Sequence, residues 1–383
     1  MNKLIVQTHE SVAALGAATW DSLTADASPF LEYAFLRALE ETGCVDGATG
    51  WHTTIVTLRD EDDDRLIGAL PLYLKTHSRG EFVYDWAWAD AAHRAGLPYY
   101  PKGVVAVPLT PVTGPRLLVA PDVVDPNAAR QALVAAAIEV ARAAGLSSLH
   151  FNFITAEEAA FFEQVGLPVR TQLQYHWRDQ NYARFDDYLG RFRSKRRANI
   201  RRERRKLAEA GVTTRIVTGD ELTPAQMRRM FRYYADTIQK YYWGSQYLTE
   251  DFFLEIARTM RDRVHLVVAE RDGREFGGAF NLYKGARLYG RYWGALDEVE
   301  FAHFEVCQYA PIEWAIEAGI AVFEPGHGGE HKFERGFEPT LTYSAHWFAD
   351  AGFDHAIRQF LNQERPAVQL RMDALQDESP FKD

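Results

Sequence analysis

IVTLRDEDDDRLIGALPLY, residues 55–73, and LVVAERDGREFGGAFNLY, residues 266–283, are two copies of one pattern. Each sets apolar residues at alternating positions on either side of a turn rich in Asp and Gly, which predicts a half-covered β-hairpin. Gly68, Ala69, Leu72 and Tyr73 recur as Gly278, Ala279, Leu282 and Tyr283, at a constant offset of 210. Each hairpin leads into an aromatic strand candidate, FVYDWAWA at 82–89 and RLYGRYWGA at 287–295. Farther on, IEVARAAGL at 138–146 matches IEWAIEAGI at 312–320; both are helical in period and end on a Gly suited to a C-cap. An apolar strand candidate follows each, LHFNF and AVFEPG. The second match has an offset of 174, so the first copy carries 36 extra residues, the Pro-rich and aromatic stretch around GLPYYPKGVVAVPLTPVTGP.

Helical stretches at 28–43 and 248–262 precede the two hairpins. The order in each half is strand, helix, two or three antiparallel strands, helix, strand. We therefore expect an α/β protein of two tandem units with mixed, largely antiparallel sheets. The expected domains are 1–178, with its insertion near 86–121, and 179–383, with a C-terminal helix.

The 383 residues carry 43 Lys and Arg against 53 Asp and Glu, a net charge of −10, and 47% of them are apolar. That apolar content excludes disorder, and two cysteines, Cys44 and Cys307, are too few for a disulfide framework. No stretch approaches 18 uninterrupted apolar residues, so no integral membrane segment is expected. His9 and Glu10 interrupt the N-terminal apolar run, unlike a secretory leader, and a cytoplasmic location is the expectation. The acidic average argues against non-specific nucleic-acid binding by the whole surface.

Charge is nonetheless concentrated in RFRSKRRANIRRERRK, residues 191–206, with ten Lys or Arg and Glu203 the only acid. On a helix, Arg197, Ile200, Arg201 and Arg204 share one side. Such a face calls for an anionic ligand, a phosphate or a nucleic acid, or for acids supplied by the rest of the fold. A second constellation, FEPGHGGEHKFERGFEP at 323–339, follows a strand candidate and gathers four glycines with His327, Glu330, His331, Lys332 and Arg335. Glycines let backbone groups approach a ligand, and the polar side chains offer a general base and oxyanion donors. His327, Glu330, His331 and His303 match no usual zinc spacing, and no metal is expected. Arg291 sits among aromatics in a strand candidate, either facing a cleft or paired with an acid such as Glu305; His303 and Glu305 open the next helix. Trp243 and Tyr247 read as core or rim packing, and Cys307 as a small buried hydrophobe. No G-x-G-x-x-G, P-loop, G-x-S-x-G or H-E-x-x-H motif is present.

The strings SPFLEYAFLRALEETGC, YYPKGVVAVPLTPVTGPRLL, SKRRANIRRER, LYGRYWGA, HFE and GEHKFERGFEP resemble those of the bacterial predicted N-acyltransferases, also described as peptidoglycan biosynthesis or recognition proteins. That family belongs to the superfamily of GCN5-related N-acetyltransferase (GNAT) folds. The resemblance covers nearly the whole chain and implies two tandem GNAT-like domains. Its functionally understood relatives, the Fem-type transferases, move an aminoacyl group from aminoacyl-tRNA to the amine of a cell-wall peptide precursor. Their basic K-x-R-x-x-I helix start resembles Lys195, Arg197 and Ile200 and implies a phosphate contact to a nucleotide-linked or lipid-linked acceptor. Their lysine before an aromatic-glycine turn resembles Lys332 ahead of Gly336 and Phe337 and implies a place beside the transferred acyl group. The long coiled-coil arm that some Fem-type enzymes insert for tRNA is absent.

The expected function is amide formation between an acyl or aminoacyl donor and an amine acceptor on a small-molecule or lipid-linked, phosphate-bearing cell-envelope precursor. The donor, acyl-CoA, an acyl carrier or aminoacyl-tRNA, is a co-substrate, which makes tRNA a candidate partner; no permanently bound cofactor is expected. His331 or Glu330 is the expected base, with Lys332 and Arg335 on the anionic intermediate. Lys195, Arg197 and Arg201 are expected on phosphate, with Arg291, His303 and Glu305 at the site. Asp85, Trp86, Tyr99 and Lys102 are expected to line an acceptor cleft. Two alternatives are a lipid-directed N-acyltransferase using a long-chain acyl thioester and a non-catalytic anion- or RNA-binding module.

Overall fold

A computed structural model describes residues 3–25, 27–240 and 245–382, so Trp243 lies outside the described residues. The chain forms two compact units, one of residues 1–172 with 341–370 and one of residues 173–340 with 371–383.

Unit 1 is built on strands β1 (Leu4–His9), β2 (Trp51–Asp60), β3 (Leu66–Lys75), β4 (Lys102–Val105), β5 (Leu118–Val119) and β6 (Ser148–Ile154). Strand β7 (Val169–Arg178) follows. Unit 2 contributes β8 (Val212–Thr218), β9 (Val264–Arg271), β10 (Arg274–Lys284), β11 (Arg287–Ala295) and β12 (Val322–Glu324), and the last strand is β13 (Glu338–Phe348). The sheet of unit 1 runs β1-β2-β3-β4-β6-β13, with β5 beside β3; all its pairs are antiparallel except β4 with β6. That of unit 2 runs β8-β9-β10-β11-β12-β7 and is antiparallel except for β11 with β12. Residues 343–348 of β13 complete the first sheet, and Trp177 and Arg178 of β7 complete the second.

The repeated hairpins are repeated in register. Gly68, Ala69 and Leu70 face Leu58, Thr57 and Val56, while Gly278, Ala279 and Phe280 face Val268, Val267 and Leu266, every pair keeping the offset of 210. Gly145 and Gly319 both follow their helices with positive φ, 66° and 70°, which ends each helix in the left-handed conformation that glycine adopts without steric cost.

Burial follows the sequence pattern. In unit 1, Val56, Leu58, Leu70, Leu72 and Val105 of the sheet pack with Leu133, Ala137 and Ala141 of the helix Pro126–Ala143. In unit 2, Trp177, Leu288 and Phe323 pack with Ile312 and Ala315 of the helix Ala310–Glu317 and with Ile200 of the basic helix Ser194–Glu209. Tyr247 is half-buried, its amide donating to the Tyr234 hydroxyl at 2.9 Å.

The strand expected at 82–89 is overturned, because Trp86–Arg94 is an α-helix. Trp88 and Ala92, four residues apart on one helical face, are buried with Phe348, Ile357 and Leu361. The strand that pairs with the hairpin there is instead β4, inside the insertion. Among the described residues no helix is long and apolar enough to cross a membrane.

Candidate active site

Strands β11 and β12 pair only at Arg287–Tyr289 with Val322–Glu324. Gly290 and Pro325 follow on the two strands, still close to each other, and both line a cavity of about 230 Å³ whose wall includes Arg291, His303, Cys307, Gln308, His327, His331 and Lys332. Residues 325–332 turn through Gly326, Gly328 and Gly329, all with positive φ, which brings three backbone carbonyls round one side chain. Lys332 Nζ donates to the carbonyl oxygens of Gly326 at 2.9 Å, His327 at 3.2 Å and Pro325 at 3.3 Å. Lys332 is only 8% exposed, and burial, with Arg291 nearby, lowers its pKa to about 8. The ammonium thus sits near the pH at which it gives up a proton.

Two imidazoles face this group. The rings of His303 and His331 lie 5.4 Å apart. Burial and then the charges of His331, Lys332 and Arg335 bring His303 down to about 4. His331 is lowered in the same direction, by burial and then by Lys332 and Arg335, so both rings are neutral at neutral pH. The Nε2 atom of His331 is buried without a hydrogen-bond partner. Burial lowers His327 to about 4 and raises the Cys307 thiol, which keeps the sulfur protonated.

A second cavity of about 560 Å³ is walled by Arg193, Lys195, Arg196, Asn199, Glu330, Arg371 and, again, His331. Arg196 pairs with Glu334 at 3.0 Å and Arg371 with Glu330 at 2.9 Å, while Lys195 has no acid within ion-pair range among the described residues. His331 therefore stands in the wall of both a basic cavity and the lysine cavity.

The basic helix is largely neutralised elsewhere. Arg204 bonds Glu305 at 2.9 Å and Glu313 at 2.7 Å, and Arg201 reaches Asp186 at 3.4 Å. Glu203, the single acid of the run, accepts from Arg335 at 2.9 Å and from the Tyr309 hydroxyl at 2.6 Å. The Arg335 guanidinium also lies 3.3 Å from the centroid of the Phe304 ring. Arg335 thus braces the Lys332 loop against the helix. Neither Arg335, Glu305, Arg197 nor Arg201 is in the wall of the two cavities. Arg291 and Lys332 share a cavity that Arg197 does not enter, and Arg291 donates to the Gly290 carbonyl at 2.6 Å rather than pairing with Glu305. Gln308, which the sequence reading did not single out, is in that wall.

None of the four unit 1 candidates is in the wall of either cavity. Lys102 donates to Glu81 at 2.8 Å, to Ser78 at 2.9 Å and to Asp85, and the Tyr99 hydroxyl donates to Asp85 at 2.6 Å. Burial opposes the charge of Lys102, but the two carboxylates outweigh it and raise its pKa. Burial raises Glu81 to about 7. Trp86 is exposed and packs edge-on against Tyr84. Among the described residues no three His, Cys, Asp or Glu side chains are grouped to hold a metal ion.

Among solved structures, FemX is similar at 12% identity and a TM-score of 0.54, over 92% of this chain and 100% of that one. A conserved protein of unknown function from Bacteroides thetaiotaomicron aligns at 11% identity and a TM-score of 0.50, over 89% and 99% of the two chains. A tandem GNAT protein from the clavulanic acid biosynthesis pathway aligns at 14% identity and a TM-score of 0.47, over 91% and 99%. No curated protein matches the sequence. The model of the FemAB-like peptidoglycan biosynthesis/recognition family matches residues 11–383. With that nearly end-to-end match, the chain belongs to this family of peptidoglycan biosynthesis and recognition proteins.

Proposed function

We propose that the protein joins an acyl or aminoacyl donor to the amine of a phosphate-bearing cell-envelope precursor, with unit 2 carrying the chemistry. The observation behind this reading is His331, shared by a cavity that suits an anion and a cavity that holds a buried lysine. Phosphate of the acceptor lies against Lys195, Arg193, Arg196 and Arg371, and the reacting carbonyl enters beside Lys332. The acceptor nitrogen attacks the carbonyl carbon, and His331 takes the proton the nitrogen sheds. Lys332 releases one of its two longer carbonyl bonds to donate to the oxyanion. Collapse of the tetrahedral intermediate breaks the bond to the donor's sulfur or oxygen, and the proton on His331 passes to that leaving group.

Purified protein is incubated with acyl-CoA, acyl-carrier and aminoacyl-tRNA donors, and consumption is followed by mass spectrometry. Lys332→Met and His331→Ala are each expected to lose most of the transfer seen with the wild type. Wild-type rates in both would refute the assignment. The pH–rate profile is expected to be bell-shaped. Activity rises as His331 loses its proton below its ordinary 6.5 and falls as Lys332 loses its own near about 8.

A further inference from the structure

The helix after β11 begins as Ala302–Phe304, passes through a π-helical turn at Glu305–Tyr309 and continues as Ala310–Glu317. A π turn inserts one residue into the helix and so re-aims the side chains on it, which is why such turns gather at functional sites. Here the turn puts Gln308 into the wall of the lysine cavity. Gln308 is 1% exposed, and neither its Oε1 nor its Nε2 has a hydrogen-bond partner. Native proteins satisfy nearly all buried polar groups, because an unpaired one loses its water without replacement. The turn thus holds a carboxamide at the cavity with both of its ends unsatisfied.

A carboxamide presents an acceptor oxygen and an N–H donor side by side in one plane. The group that answers both at once is a chain carrying two successive amides, one giving its N–H to Oε1 and the next its carbonyl to Nε2, since a single trans amide points its N–H and C=O to opposite sides. A phosphate or carboxylate satisfies only the donor end, and an aliphatic chain satisfies neither. We infer that Gln308 is a specificity-determining residue that reads two successive amides of the substrate beside the reacting centre. The inference deepens the reading of this cavity as the reaction site and rests on it. Two sources carry that chemistry: the arm of a coenzyme A-type donor and the peptide of an acceptor.

The test compares the full-length wild type with Gln308→Met, which keeps length and removes both polar ends, and with Gln308→Glu, which keeps an acceptor and removes the donors. The probes are coenzyme A and the peptide N-acetyl-Ala-Lys-Ala, with binding measured by calorimetry and unfolding by a thermal melt. In free protein, Gln308→Met is expected to melt higher than wild type by about 2 °C, since it removes an unsatisfied polar group. Affinity for at least one probe is expected to fall about tenfold in Gln308→Met and at least as far in Gln308→Glu. The probe affected names the source of the amides. A lower melting temperature for Gln308→Met would make the side chain structural and overturn the inference. So would affinities unchanged within twofold for both probes, or no binding of either to wild type at 10 mM. Lys332→Met separates the two readings. If it abolishes transfer while Gln308→Met leaves both affinities unchanged, only the amide assignment fails. If no donor is consumed while Gln308→Met still weakens a probe, only the transfer reading fails.

Discussion

Strand β6 of unit 1 and strand β12 of unit 2 hold the same place in their sheets, each parallel to the strand that follows the hairpin. Carried along the matched registers, Val107 is the counterpart of Arg291, Phe151 of Glu324, Phe153 of Gly326 and Ile154 of His327. Both chains turn through a left-handed residue at the same step, Phe153 with φ of 55° and Gly326 with φ of 81°. In unit 1 that step is filled. The Asn152 carbonyl accepts from Arg116 at 2.8 Å and the Phe153 carbonyl from the Gly114 amide at 3.0 Å, both donors coming from the Pro-rich insertion. In unit 2 the counterpart carbonyls of Pro325 and Gly326 both accept from Lys332. One copy uses an inserted loop and an aromatic ring to close the end of the strand; the other keeps it open around a titratable cation. Two matched frames thus differ in what fills them, and the proposed chemistry falls to the one left open.

The sharpest way to break this contrast is to remove the two cations that hold the carbonyls. Lys332→Met is expected to lower turnover roughly 10²- to 10³-fold, as loss of an oxyanion donor does. Arg116→Met should leave turnover within about twofold yet lower stability in denaturant unfolding by about 2 kcal/mol, because it strands buried carbonyls. Equal losses of activity in the two variants would erase the distinction between the units. Exchanging the ring is the next test. Phe153→Gly relieves the left-handed strain but leaves a cavity, so a net destabilisation of roughly 2–4 kcal/mol is expected, with no new transfer activity.

Acid separates the units more gently. Burial brings His150 of unit 1 to about 3 and His303 of unit 2 to about 4, and His346, bonded to His150 at 2.7 Å, is lowered well below the ordinary 6.5 by burial and then by His150. Below the ordinary 6.5 the unfolded chain binds protons that the folded one refuses. The contribution is therefore complete above pH 6.5 and is lost as pH falls toward 4 for His303 and toward 3 for His150. Urea unfolding at pH 7, 5.5 and 4.5 should show stability declining, with a shallower slope in His150→Gln. The smallest effect concerns the basic cavity. Lys195→Met should raise KM for the phosphate-bearing acceptor about fivefold at low salt, with kcat unchanged, and the difference should shrink as salt screens the contact.

Much of this frame was legible in the sequence because a repeat constrains itself: Gly68 with Gly278 and Tyr73 with Tyr283 fixed two hairpins whose registers coincide from Thr54 opposite Leu72 to Leu58 opposite Gly68. Lys332, His331 and Arg291 were legible as charge and imidazole in a glycine-rich or aromatic setting. The helix at Trp86–Arg94 was not, because alternate tryptophans suit either period until the packing of Trp88 and Ala92 on one face decides. Arg335 and Glu305 look like site residues in one dimension and prove to be committed to Glu203 and Arg204, acids and bases more than a hundred positions away. Gln308 gave no signal, since a π turn has no sequence signature in VCQYAP and a neutral amide stands out only once its surroundings are known to be dry.

Residues 341–370 belong to unit 1 although the 168 residues 173–340 are made first. On the ribosome, then, strand β6 emerges long before residues 343–348 that will pair with it. At about 5–20 residues per second the wait is on the order of ten to thirty seconds, during which the edge carrying His150 and Asn152 is open. Translation order sets a hazard here that equilibrium stability does not measure. The nascent chain must hold a nearly finished sheet without letting that edge recruit another chain, and substitutions between 341 and 370 will show their cost in yield during synthesis before they show it in the melting of the finished protein.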